Sequence, residues 1–209
     1  KLLTETAAGI WAEVRGNDFT ERAPAIVDEI QAGNPHVVGF QELAMFVAMD
    51  FDAATGATAE TEVIDFQTIL EDELADRGLG YTFVAVQSNT QVTVPVDGFE
   101  MGDQFVPTKL VSLIVRDGVL VRNDLAVTGS SQQHYQAYVP LATDPFGNPI
   151  NFFRGWIRVD VSMNGVPYHF VNTHLEIQSF APIQHQQTAE LLSELDGLDG
   201  VTVMTGDFN

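Results

Sequence analysis

The chain has no cysteine, so disulfides, zinc–thiolate centres and a thiol nucleophile are all excluded. Lysine is nearly absent too: Lys1 and Lys109 are the only two, and Lys and Arg together number 9 against 29 Asp and Glu, a formal net charge of −20. Such a surface repels polyanions unless a metal ion or a local basic patch intervenes. That excludes histone-like and repressor-like roles, in which basic charge supplies the affinity. Acidity of this kind suits a high-salt environment as well as ordinary secretion, and the compartment, secreted or cytoplasmic, stays open. No apolar run approaches the ~18 residues of a membrane-spanning helix. No basic-then-apolar opening reads as a signal peptide, which says little for a chain that reads as starting in mid-gene.

What is present is enough apolar material, 45% of 209 residues, for one sizeable core. There are no repeats, low-complexity tracts or linkers, and 1–209 reads as a single domain. Residues 4–15 have the pattern of a short helix. Residues 20–33 have a clearer one: Ala23, Ile26, Val27 and Ile30 fall at helical spacing, Asp18 or Thr20 offers a cap, and Gly33-Asn34-Pro35 a stop. His36–Gln41 reads as a short buried strand, and 62–77 as an amphipathic helix through Val63, Phe66, Ile69, Leu70 and Leu74.

From Tyr81 the pattern turns to strands, 81–88 and 91–96, followed by a loop at 97–107. Strands 110–115 and 119–122 flank Arg116-Asp117-Gly118, which reads as a tight hairpin turn. A second hairpin, 152–163 with 166–173, turns at Asn164-Gly165; a helix over 182–195 and a strand over 201–205 follow. This order predicts a mixed α/β fold with sheets covered by helices. The Gly- and Pro-punctuated loops at 97–107 and 141–150 have the composition of a binding rim.

Three of the buried-looking strands end in polar residues, where open α/β sheets bind ligands. Gln41-Glu42 follows Val37–Phe40, and a carboxylate there is a hard oxygen ligand suited to Mg²⁺. Asn172-Thr173-His174-Leu175-Glu176 follows Tyr168–Val171, and a strand-end His can donate to phosphate or exchange protons. Gly206-Asp207-Phe208-Asn209 follows Val201–Thr205; in an extended segment Asp207 and Asn209 point to one side, a carboxylate beside an amide. Alone, each has a plainer reading: a helix-initiating Glu, a structural His, a turn rich in Asp and Asn.

Together and in this order, the three stretches resemble the endonuclease/exonuclease/phosphatase superfamily, the deoxyribonuclease I-like fold. Arg154-Gly155-Trp156 and the helix carrying Gln186, Glu190 and Leu191 are similar to its bacterial members. The resemblance runs from about residue 20 to 209. It implies an α/β fold, a two-sheet sandwich flanked by helices, with the site at one edge. It also implies divalent-metal-dependent hydrolysis of phosphoester bonds, of phosphodiesterase, nuclease or phosphatase type. In that frame Glu42 binds Mg²⁺ or Mn²⁺, His174 contacts the scissile phosphate, Asp207 positions or activates the attacking water, and Asn209 holds the water or a phosphate oxygen. The cation would reconcile an acidic chain with a phosphate substrate. Nucleic acid, a small phosphodiester, a phosphomonoester and a lipid head group are all open as substrate, although scarce basic charge weighs against nonspecific grip on a long nucleic acid backbone.

Two parts of the family pattern are absent: an opening strand that carries an Asn, and a closing Asp-His pair. The expectation is therefore a piece truncated at both ends, with some terminal strands missing, exposed pairing edges and little activity by itself. The alternative is a non-catalytic binding module on the same scaffold. Asp117 reads as a turn residue rather than a ligand. His36, His134, His169 and His185 have no partner motif. Arg154 reads as paired with a carboxylate, Glu176 as a supporting residue at most, and Trp156 and the Phe residues as core.

Overall fold

The computed structural model describes residues 2–143 and 149–209. Helices α1 (Leu2–Gly16) and α2 (Phe19–Gly33) come first. Strands β1 (Val37–Phe40), β2 (Met45–Asp52) and β3 (Ala57–Asp65) lead to α3 (Phe66–Asp76). Then follow β4 (Tyr81–Met101), β5 (Gln104–Arg122), β6 (Ala126–His134), the short pair β7 (Val139–Thr143) and β8 (Pro149–Phe152), β9 (Gly155–Met163) and β10 (Val166–His174). A 3-10 turn at Gln178–Phe180 enters α4 (Ala181–Leu195), and β11 (Val201–Asp207) follows. No helix among the described residues is long and apolar enough to cross a membrane.

Strand β5 is the axis of the first sheet. On one side β4 runs antiparallel along its length; on the other, β1 pairs with 118–121 and β2 with 109–114, and β3 extends the sheet from β2. The second sheet has the order β11-β10-β9-β6, with β10 and β11 parallel and His174 opposite Asp207. Val119-Leu120-Val121 explains the layering, because successive side chains of a strand point to opposite faces. Val119 and Val121 pack on Ile157, Val159, Val161 and Phe170 of the second sheet. Leu120 turns the other way, among Ala23, Val27 and Ile30 of α2 and Leu70 and Leu74 of α3. A strand covered on both faces needs such an unbroken apolar run. Beyond the second sheet, Leu191 of α4 packs with Trp156, Val171 and Leu175. Each fully buried Val or Leu contributes about 1.5–3 kcal/mol, against about 0–1 for a surface ion pair, so this layering outweighs the charged surface in stability. The two-sheet sandwich flanked by helices is the architecture expected.

Several boundaries differ from expectation. Helix α3 starts at Phe66 rather than 62: Asp65 caps it by accepting from the Gln67 and Thr68 N–H groups, and exposed Val63 belongs to β3, paired with β2. Arg116-Asp117-Gly118 is no turn. It lies inside β5, paired with β4 throughout and with β1 at Gly118, and the chain reverses instead at Gly102 (φ 66°). The expected loop at 97–107 is therefore the far end of the β4–β5 ribbon. Of the other expected loop, 141–143 and 149–150 lie in the β7–β8 pair, and 144–148 falls outside the described residues. Trp156 is core as expected, but Phe99, Phe180 and Phe208 are exposed. Strand β11 pairs only with β10 among the described residues, and Val201, Val203 and Met204 on it are exposed.

The two sheets approach closely at Gly39 of β1, where an added Cβ would stand 2.4 Å from Asn172 Oδ1 and 2.7 Å from Thr205 Oγ1. Gly39→Ala is therefore expected to lower the unfolding free energy by about 2 kcal/mol, read from the urea midpoint. Gly9→Ala, at an exposed position of α1 with nothing within 4 Å, is expected to raise it by about 0.5–1 kcal/mol. Equal midpoints for the two variants would refute the close approach.

Candidate functional site

The C-terminal ends of β1, β10 and β11 and the N-terminal end of β9 meet at one edge of the sandwich, beside Asp117 of β5. Alternation along β10 sends Phe170, Asn172 and His174 to the face that meets the first sheet. Phe170 joins the apolar core there. Fully buried Asn172 donates from Nδ2 to the carbonyls of Phe40 (2.9 Å) and Gly118 (3.1 Å), and its Oδ1 accepts from Gln41 Nε2. His174, next on this face, reaches the edge.

Glu42 follows Gln41 in a left-handed conformation (φ 57°), which is uncommon for a residue with a side chain. Its N–H donates to Asp117 Oδ1 at 3.2 Å, which holds the turn and leaves the Glu42 side chain exposed. Asp117 itself is buried, and its Oδ2 accepts from Asn89 Nδ2 at 2.6 Å. Burial pushes its carboxyl up to about 6, outweighing the Asn89 and Glu42 N–H bonds and the attraction of Arg154.

His174 is buried, with Nδ1 2.7 Å from Arg154 Nη1 and Nε2 3.8 Å from Asp207 Oδ2. Burial first, and then the Arg154 charge, push its pKa down to about 4 against the pull of Asp207. The Arg154 guanidinium, also buried, stands 4.5 Å over the Phe152 ring, with Nε 3.9 Å from Glu176 Oε2. Burial lowers its pKa, while Glu176, Asp117, Glu42 and Asp207 raise it. Asp207 is half exposed, and its Oδ1 accepts from the Asn209 N–H at 2.9 Å. The Asn209 side-chain amide donates to the Leu175 carbonyl at 2.9 Å, so it is held against the His174 strand end. Gly206 allows that close stitching: at φ 146°, an added Cβ would fall 2.0 Å from the Thr173 carbonyl oxygen.

The structure thus brings Glu42, His174, Asp207 and Asn209 to one edge, and adds Asp117, Asn89 and Arg154. The sequence pattern assigns Asp117 to a turn and does not mark Asn89. Arg154 pairs with Glu176 as expected, but its shortest contact is His174. The detectable signal for Asp117 was the run Leu110–Val121, apolar on both sides of it and long enough for one strand. Among the described residues no three acidic or histidine side chains stand close enough to share an ion. Glu42 is exposed, whereas Asp117 is buried and engaged by two donors; Asp207 has one oxygen engaged by the Asn209 N–H and the other on the His174 side. One carboxylate with water and substrate phosphate is a usual donor set for Mg²⁺, so the residues present fit such an ion.

Asp117 and His174 make opposite contributions to acid stability. The fold prefers neutral Asp117, so its contribution is present below the ordinary 3.8 and is lost as pH rises through about 6. The fold also prefers neutral His174, so its contribution is present above the ordinary 6.5 and is lost as pH falls through about 4. Each is of order 3 kcal/mol, and across pH 4–6 they offset one another. In EDTA, Asp117→Asn should gain about 3 kcal/mol over the parent as pH rises from 4 to 7, by urea unfolding. The variant keeps its bonds because the unpartnered Asn89 Oδ1 can turn to accept from it. A pH-independent difference would refute the buried-acid assignment.

No protein-family model matches the chain, and no curated protein matches it. Solved structures do. An endonuclease/exonuclease/phosphatase family protein from Leptotrichia buccalis gives a TM-score of 0.54 at 12% identity, over 92% of this chain and 61% of that one. A humanized D. rerio TDP2 gives 0.53 at 15%, over 92% of this chain and 57% of that one. TDP2 from C. elegans gives 0.51 at 16%, over 93% of this chain and 44% of that one. This chain spans less than two thirds of the length of each. At such identities the likeness is one of fold, and that fold, the deoxyribonuclease I-like sandwich of endonuclease/exonuclease/phosphatase proteins, is the one this chain adopts.

Proposed function

We propose that the protein hydrolyses phosphoester bonds with the help of a divalent cation. The observation that carries this reading is the juxtaposition of His174 and Asp207, 3.8 Å apart at the ends of adjacent parallel strands, at the same edge as the exposed Glu42. Glu42 would hold Mg²⁺ or Mn²⁺, which when bound supplies positive charge to the phosphate oxygens. Arg154, buried behind His174, adds a fixed positive charge at an edge where Glu42, Asp117, Glu176 and Asp207 act on it. His174 contacts the phosphate through its Nε2 edge. Asp207, half exposed, accepts a hydrogen bond from the attacking water and orients it. Asn209, held on the Leu175 carbonyl, borders the same space. Fixed donors and charges of this kind lower the barrier without reorganising as charge develops.

The test is hydrolysis of bis(p-nitrophenyl) phosphate, p-nitrophenyl phosphate, a single-stranded oligonucleotide and a phospholipid, with Mg²⁺ or Mn²⁺ and with EDTA, using the full translated gene product. Metal-dependent turnover is expected. His174→Gln and Asp207→Asn are each expected to lower kcat by about 10²–10³-fold, the usual size of a lost acid–base or electrostatic contribution. Glu42→Gln is expected to weaken Mn²⁺ binding in calorimetry. A folded protein inactive on all four substrates would sink this reading and favour a binding module on the same scaffold.

A further inference from the structure

We propose that Arg154 is a positioning residue that holds His174 as a neutral imidazole whose only N–H is on Nε2. What that N–H is for rests on the phosphoesterase reading; the tautomer itself rests on geometry. A guanidinium has five N–H donors and no acceptor. Arg154 Nη1 stands 2.7 Å from His174 Nδ1, so Nδ1 is the accepting nitrogen. An imidazole that accepts at Nδ1 carries its proton on Nε2, and a second proton would have to displace the guanidinium.

Functional histidines are often oriented the other way, with Nδ1–H donated to a carboxylate or carbonyl that raises their basicity. Here the polarity is reversed, and His174 is a poor base. Its Nε2–H is left as a neutral donor on the Asp207 side, suited to an anionic phosphoryl oxygen. Proton acceptance then falls to Asp207, whose carboxylate is half exposed.

Surrounding groups keep the guanidinium in place and charged. Phe152 lies beneath it and Glu176 beside it. Asp117 faces it from β5, Glu42 from the β1–β2 link and Asp207 from β11. The charged groups acting on His174 are Arg154 and Asp207, and burial together with Arg154 outweighs Asp207, in the same direction as the geometry. Arg154 itself is almost fully covered, which suits a residue that acts through its neighbour.

The tautomer can be read without turnover, from the ring ¹⁵N shifts of labelled protein in EDTA, with the His174 signals assigned by their loss in His174→Gln. A protonated Nε2 and an unprotonated Nδ1 are expected from pH 8 down to pH 5. Arg154→Lys, which keeps a donor and a charge, should preserve this pattern. Arg154→Met should mix the tautomers and move protonation of His174 up by about one unit or more. A protonated Nδ1 in the parent, or an imidazolium at pH 6, would overturn the proposal. So would an unchanged tautomer and protonation midpoint in a folded Arg154→Met. If Arg154→Met does not fold, the parent and Arg154→Lys spectra decide. Inactivity on phosphoesters would leave the tautomer standing, and the wrong tautomer would leave the phosphoesterase reading standing.

Discussion

The buried amide of Asn172 joins the two sheets, and the site depends on that joint. Its two N–H groups reach carbonyls of β1 and β5, and its oxygen takes the Gln41 amide, so β10 is held in register against the first sheet. Leaving such a buried group unpaired costs about 1–3 kcal/mol, a sizeable share of the roughly 5–15 kcal/mol by which a domain is stable. Gly39 makes room for it. Gln41 precedes Glu42, and His174 lies one strand repeat beyond Asn172, so the joint that holds the sheets also sets the spacing of the two side chains at the edge.

Charge at this edge is balanced locally, although the whole chain carries −20. Four carboxylates act on one buried guanidinium, and two groups that would otherwise be charged at neutral or mildly acidic pH are driven towards neutrality by burial, Asp117 as an acid and His174 as a base. The outcome is an acidic rim with a fixed positive charge behind it. A cation at Glu42 would complete the potential a phosphate needs.

Much of the fold was legible from the chain. Helix α2 carries a cap at Asp18 or Thr20 and a stop at Gly33-Asn34-Pro35, and the structure selects among them: Asp18 caps by accepting from Thr20, and Asn34 turns left-handed (φ 42°). The β9–β10 hairpin declared itself through Asn164-Gly165, both of which adopt positive φ. The strand ends carrying Glu42, His174 and Asp207 were visible because an apolar strand breaking into polar residues is a local pattern. Asp-Gly at 117–118 was misread by the same logic. The apolar run Leu110–Val121 fits one long strand as well as a hairpin, and what decides is remote: Asn89 donates to the Asp, and the Gly makes room for Leu43 and Phe83.

By itself, then, the sequence determined what short-range physics can encode: helix periodicity, caps, one hairpin turn, the absence of thiol chemistry and the order of the polar strand ends. Only the tertiary structure decided that Asp117 is a buried acid, that β4 and β5 form one long ribbon, and that Arg154 meets His174 rather than a carboxylate alone. The reason is distance along the chain. Asn89 and Asp117 are 28 residues apart, Arg154 and His174 are 20, and Gln41 and Asn172 are 131. Hydrogen bonds between such positions exist only once two sheets have packed, and burial, which sets both shifted pKa values, is a property of that packing alone.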